Sequence, residues 1–303
     1  MFNLEKVKFI THSQCMDGST SCLVFLFAGG KKENVIFSNP SHDKTDEVVK
    51  EQMQTGLPII MADISISLKL AQDIDTYDYP IIILDHHKSA EDLKKFSWCE
   101  IDNSRCGSKI LFDYFMRDFN TLAIQLNSKC LSLVTLSDDY DRWIHDYPDS
   151  KKLNALHHLL GQELFIDRFL KNHDMAFTKE ENYLVDLEDV KTQKMVNEKK
   201  KEAFVIEKQI QGHKVRIACV KAIGSNMSIL GNELCKDPNI NVDIAMMLGS
   251  DSVSFRCKDT CPVDLSVLAK DNNGGGHSRS SGINLNVLLG QDLLEMVLYK
   301  IKF

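Results

Sequence analysis

No C-x-x-C pair occurs in this 303-residue sequence, which argues against a zinc knuckle. Nine cysteines are present, at Cys15, Cys22, Cys99, Cys106, Cys130, Cys219, Cys235, Cys257 and Cys261. Their odd number and scattered spacing fit reduced thiols in an intracellular compartment. Long hydrophobic runs are missing too: none reaches the length of a membrane span. The opening "MFNLEKVKFITHS" lacks the apolar core of a signal peptide. The expectation is a cytoplasmic protein with no membrane partner. A basic balance is also absent. Lys and Arg number 36 against 43 Asp and Glu, for a formal net charge of -7. Proteins that grip long duplex DNA carry a basic face. An acidic chain that binds a few phosphates must take positive charge from metals or local arginines. There is no internal repeat and no low-complexity segment.

What is present is ordinary globular composition, 43% hydrophobic and 26% charged, at a length that suggests two domains. The N-terminal half alternates between apolar β-branched runs and helix-like stretches. "VKFI" (7–10), "NVIF" (34–37), "LPIIMADIS" (57–65) and "YPIIILDHH" (79–87) read as strands. Strands apolar on both faces and separated by helices predict a parallel sheet covered on both sides. From Arg105 to about Asn172 the pattern is helical. Residues 180–211 contain neither Gly nor Pro and are dense in charge, which reads as a helical connector. "KVRIACV", "NVDIAMMLG" and "SVSFRCK" read as strands of a second α/β pattern, "DLSVLAKD" as a helix, and "NVLLGQDLLEMVLY" as a terminal helix. The expected division is 1–190, a connector at 191–211, and 212–303.

In parallel sheets ligands bind at the carboxyl ends of the strands. Three such ends carry polar residues here: His12 to Asp17, Asp63, and Asp85-His86-His87. Burying an acid and two imidazoles is costly unless they are paired or bind metal. Polar strand ends converging in this way on one edge would suit two cations joined by a bridging carboxylate. Carboxylates with imidazoles suit Mn²⁺ or Mg²⁺. "SDDYDRW" (137–143) places three acids at a helix C-terminus, where the helix dipole disfavours them, so one of them is a further candidate ligand. "GGGHSRSSG" (274–282) offers a glycine nest for an anion, with His277 and Arg279 as donors.

The order H-x-x-C-x-D-G, D-x-S, D-H-H, D-x-D-x-W and G-G-G-H resembles the DHH phosphoesterase superfamily, in the subgroup with the DHH-associated C-terminal domain. The resemblance spans about residues 7–285. It implies an α/β fold: a parallel-sheet DHH domain, a helical connector, a smaller α/β domain, and an active site in the cleft between the two. It also implies hydrolysis of phosphoester bonds with two divalent metals, Mn²⁺ foremost, Mg²⁺ or Co²⁺ as alternatives. Carried over by position, His12 and Asp63 would hold one metal. Asp17, Asp63, His86 and Asp139 would hold the other, with Asp63 bridging; Asp138 and Asp141 remain alternatives to Asp139. Many members have H-x-x-x-D-x-D at the first motif. Met16 departs from that pattern, and Cys15 is the substitute ligand. His87 would contact phosphate or the leaving oxygen. Arg256, Gly274, Gly275, Gly276, His277 and Arg279 would hold a phosphate or the terminal nucleotide. The implied substrate is a short single-stranded oligonucleotide or small nucleotide. A phosphatase or polyphosphatase acting elsewhere, and a nucleotide sensor with a degenerate first metal site, are the alternatives. A homodimer is left open.

Overall fold

The computed structural model describes residues 3–39, 42–77, 79–118, 123–222, 226–250, 252–272 and 274–285. The chain divides into two compact units, Met1–Asp189 and Val190–Phe303.

In the first unit the strands are β1 (Lys8–His12), β2 (Val35–Ser38), β3 (Ile59–Ala62), β4 (Ile81–Asp85) and β5 (Cys99–Ile101). They form one sheet in the order β2-β1-β3-β4-β5, and every pairing is parallel. The expected strands are all found. The edge strand β5 was not foreseen, because three residues are too short to show a period. The helices are α1 (Met16–Phe27), α2 (His42–Met53), α3 (Leu68–Tyr77), α4 (Gly107–Asp118), α5 (Ala123–Asp141) and α6 (Pro148–Lys171).

Successive strand residues point to opposite faces, so each strand feeds two cores. Phe9, Ile60 and Leu84 pack with Leu23, Phe25 and Phe115 of α1 and α4. Ile10, Met61 and Ile83 pack instead with Val49, Leu70 and Ile74 of α2 and α3. Each such side chain contributes roughly 1.5–3 kcal/mol on burial. The rings of Phe9 and Phe25 stack at 4.5 Å. With both faces apolar, polar chemistry is confined to the strand ends.

Helix α7 (Lys179–Glu202) runs across the boundary between the units. The second unit holds β6 (Phe204–Ile210), β7 (His213–Lys221), α8 (Met227–Lys236), β8 (Ile244–Leu248), β9 (Ser252–Cys257), α9 (Leu265–Lys270), β10 (Gly275–His277) and β11 (Ser280–Asn284). Its mixed sheet has the order β10-β11-β9-β8-β7-β6, with β7 and β8 parallel and the other neighbours antiparallel. Residues 204–210 correct the expectation of a helical connector to residue 211. "FVIEKQI" is a strand, joined to β7 by a two-residue turn at Gln211 (φ 51°) and Gly212 (φ 80°). Positive φ at both positions is the hairpin geometry that matches strand twist. The expected terminal helix at 286–299 lies outside the described residues. Among the described residues, no helix is long and apolar enough to cross a membrane.

Candidate metal centre

The adjacent central strands β1, β3 and β4 deliver His12, Asp63 and Asp85-His86-His87 to one edge of the first sheet. Asp63 is the hub. It follows the last residue of β3 in the left-handed region, φ 59°, which a non-glycine residue adopts at a cost. Asn and Asp tolerate it best, because a short polar side chain can bond locally. The hub is crowded from behind as well: a Cβ at Gly107, the first residue of α4, would lie 2.5 Å from the Asp63 Cα. Only glycine allows that approach.

Two groups of side chains meet Asp63. On one side, Asp63 Oδ2 accepts the Cys15 thiol at 3.0 Å and lies 3.5 Å from His12 Nδ1. On the other, Asp63 Oδ1 lies 3.1 Å from His86 Nε2, which lies 3.6 Å from Asp141 Oδ2. The ligand atoms of His12, Cys15 and Asp63 fall within 4.8 Å of one another, and so do those of Asp17, His86 and Asp141. Asp17 is buried and accepts from Ser137 Oγ at 3.1 Å and from the Ser108 backbone N–H. Asp85, fully buried, accepts from His87 Nδ1 at 2.8 Å and from the His86 N–H at 2.8 Å. Asn103 Nδ2 donates to the His86 carbonyl at 2.6 Å. Asp85 and Asn103 therefore fix the turn that presents the two imidazoles.

The electrostatics follow from this crowding. Burial and the neighbouring Asp63 and Asp141 carboxylates push Asp17 up to about 7. Burial also works against ionised Asp63, but hydrogen bonds and charge from His12 and His86 hold it well below the usual carboxylate range. Asp85 sits at about 2: burial opposes its charge, and His87 outweighs burial. Burial opposes charge on His86, yet Asp141 and Asp63 raise its pKa well above the ordinary imidazole value. Burial and Asp63 push the Cys15 thiol up. Several acids thus share one small volume with too little positive charge, and Asp17 is left half-protonated near neutrality. That imbalance, with imidazole, carboxylate and thiol donors on both sides of Asp63, fits divalent cations.

Asp139 corrects the sequence reading. Its Oδ1 accepts from the Asp146 N–H at 2.8 Å and its Oδ2 from the Tyr147 N–H at 3.4 Å, so it caps the turn after α5. Asp138 accepts from the Cys106 N–H at 2.7 Å and from Arg142. Asp141 is the acid that joins the cluster. The signal was in the spacing: residues four apart share a helix face, and Ser137, which holds Asp17, stands four before Asp141. Asn103, Gly107 and Ser108 lie in "DNSRCGS" (102–108), a stretch that resembles the family's segment after D-H-H but to which the sequence assigned no individual roles; Ser137 was not foreseen.

In the second unit the glycine triplet is built into a hairpin. Gly275, Gly276 and His277 pair antiparallel with Gly282, Ser281 and Ser280. A Cβ at Gly274 would lie 2.1 Å from the Gly282 carbonyl oxygen, and Gly276 has φ 130°. These glycines serve close backbone approach, where the sequence reading expected an open nest. Both arginines are engaged inside the unit. Arg279 Nη1 donates to the Cys261 carbonyl at 2.5 Å and faces Cys257 Sγ at 3.5 Å. Arg256 donates to Ser228 Oγ at 2.6 Å and to the Phe255 carbonyl at 2.7 Å.

No known family profile matches the chain. It is similar to oligoribonuclease NrnB of Bacillus subtilis (strain 168), 28% identical over 246 residues that cover 75% of this chain and 59% of that protein. The chain thus spans 59% of the length of this curated relative. Among solved structures it resembles the DHH domain of a protein described as a member of a ribosomal protein family. That match has a TM-score of 0.58 at 13% identity and covers 98% of this chain and 87% of the other. It also resembles the exonuclease RecJ of Thermus thermophilus in complex with Mn²⁺, with a TM-score of 0.56 at 12% identity, covering 96% of this chain and 51% of that one. At such identities the structural likeness is one of fold: a parallel-sheet α/β unit followed by a smaller mixed-sheet unit. With its motifs on that fold, the chain resembles the DHH phosphoesterase superfamily.

Proposed function

We propose that the protein is a metal-dependent phosphoesterase that hydrolyses short single-stranded oligonucleotides or small nucleotides. The observation that carries this reading is the convergence of two donor sets on Asp63 at the sheet edge. The similarity to a protein named an oligoribonuclease supports the substrate class. His12, Cys15 and Asp63 would hold one divalent cation. Asp17, His86 and Asp141 would hold a second, with Asp63 shared. Mn²⁺ is the favoured ion. Such cations supply Lewis acidity and make water nucleophilic near neutral pH.

The chain's own groups do the positioning. Asp63 stays ionised because His12 and His86 face it. His87 is oriented by the contact of its Nδ1 with Asp85, and the resemblance supports it as the group that would meet a phosphate oxygen or the leaving group. Burial opposes a proton on His87, but Asp85 raises its pKa, which favours a charged donor toward an anion. For the second unit, the resemblance supports His277 and the Gly274–Gly276 hairpin as holders of a substrate phosphate or terminal nucleotide. Arg279 ties the hairpin turn to the Cys261 carbonyl, and Arg256 reaches Ser228 of α8.

The test is a panel of di- to decanucleotides, 3'-phosphonucleotides, cyclic dinucleotides and polyphosphate, each with Mn²⁺ and with chelator. Metal-dependent cleavage of the short oligonucleotides is expected. Turnover of polyphosphate alone would move the reading to a polyphosphatase, and no turnover with bound nucleotide would make the protein a sensor. His277→Ala should lower turnover with Mn²⁺ affinity unchanged; equal turnover removes the hairpin from the reading.

A further inference from the structure

The turn between β1 and α1, which carries His12 and Cys15, is held from α6 by two separate links. Ser19 Oγ donates to the Cys15 carbonyl at 2.9 Å, so its hydroxyl must accept from His157 Nε2, also at 2.9 Å. The tautomer is thereby fixed: Nε2 carries the proton, and the buried Nδ1 has no hydrogen-bond partner among the described residues. The second link is Gln162 Oε1, which accepts from the Gln14 N–H at 2.6 Å. Gln14 sits in the left-handed region, φ 58°. Helix α6 leaves helical geometry at Gly161 (φ 72°, ψ 166°), directly before Gln162.

Neither link is explained by packing. A buried imidazole with half its polar capacity unpaired costs more than an apolar side chain of similar size. The kink at Gly161 likewise interrupts a helix that could have continued. Both features act on the same short turn, one at its strained middle and one at the carbonyl of Cys15. Partners that orient ligands in this way tune metal affinity. We propose that His157 and Gln162 are positioning residues that hold the His12–Cys15 turn in its metal-binding shape. The inference rests on the two-metal reading above and adds two residues that contact none of the candidate ligand atoms.

The experiment titrates the full-length, chelator-treated protein with Co²⁺. Calorimetry gives the affinity, and near-ultraviolet absorption reports cobalt–thiolate contact at Cys15. The parent should bind and show the band. His157→Ala and Gln162→Ala should each weaken the thiolate-linked binding about tenfold, the lower range for such supporting groups. His157→Gln, whose amide can still donate to Ser19, should restore most of it. Affinity and band equal to the parent in both alanine variants would overturn the proposal. So would a fall in thermal stability alone with Co²⁺ affinity unchanged, because the role would then be structural. A parent that binds no Co²⁺ would overturn the two-metal reading itself, and the clamp with it.

Discussion

At the edge of the first sheet, charged side chains face one another; in the second unit, the arginines face backbone and hydroxyl oxygens. Asp17, Asp63 and Asp141 crowd around two histidines and a thiol, and the acids outnumber the charges that could neutralise them. Arg256 and Arg279 instead reach Phe255, Ser228 and Cys261 within their own unit. A surface built to hold cations keeps its donors in mutual repulsion until the cations arrive. One built to hold a chain conformation satisfies its donors internally. The two regions should therefore respond differently to mutation and to metal.

The sharpest break is at the hub. Asp63→Asn keeps a side chain that tolerates positive φ but removes the negative charge and one of the two acceptor oxygens between the two donor sets. Phosphodiester hydrolysis should fall by about 10³-fold or more, as when a principal charge-stabilising group is removed, with the fold retained by circular dichroism. Activity near the parent level would dissolve the two-metal reading.

The next comparison sets two acids of α5 against each other. Asp141→Asn should weaken Mn²⁺ binding by roughly 10–100-fold. Asp139→Ala should leave Mn²⁺ affinity alone and instead cost about 1–3 kcal/mol of stability, since two backbone N–H groups of the following turn lose their acceptor. Calorimetric titration and thermal unfolding of the pair decide it. The reverse pattern would restore Asp139 as the ligand.

Metal removal should expose the crowding as a pH effect. Asp17 titrates at about 7 in the folded chain against 3.8 ordinarily, so folding takes up a proton between those values. Stability of the chelator-treated protein then falls as pH rises through that window. Asp85, at about 2, has the opposite sign: its contribution is present above its ordinary 3.8 and is lost as pH falls toward 2. From about pH 5 to about pH 7.5 only the Asp17 effect is in play of these two. Melting curves should show a declining midpoint, flattened in Asp17→Asn and reversed by added Mn²⁺. A slope unaltered in Asp17→Asn would place the proton elsewhere.

The smallest effect belongs to the second unit. Arg279→Ala removes the bond to Cys261 and should cost about 1–2 kcal/mol, with Mn²⁺ affinity and the pH slope untouched. A change in metal affinity would overturn the reading of Arg279 as a structural group of its own unit.

The sequence by itself determined the first sheet and most of its edge. β-branched runs apolar on both faces leave no option but a covered parallel sheet, and such a sheet leaves polar groups only where its strands end. His12, Asp63, His86 and His87 could be read from that rule and from the motifs, and Cys15 stood beside them. Tertiary structure alone decided the rest. Whether Asp139 or Asp141 turns toward His86 depends on the rotation of α5 about its axis, which packing against α1, α4 and α6 fixes. Gly107 matters because α4 starts against Asp63, a residue far from it in sequence. The arginines of the second unit looked like phosphate donors because a guanidinium advertises its charge in sequence but not its partner. Partners are set by which carbonyls the chain brings within about 3 Å, and that distance is a property of the folded backbone.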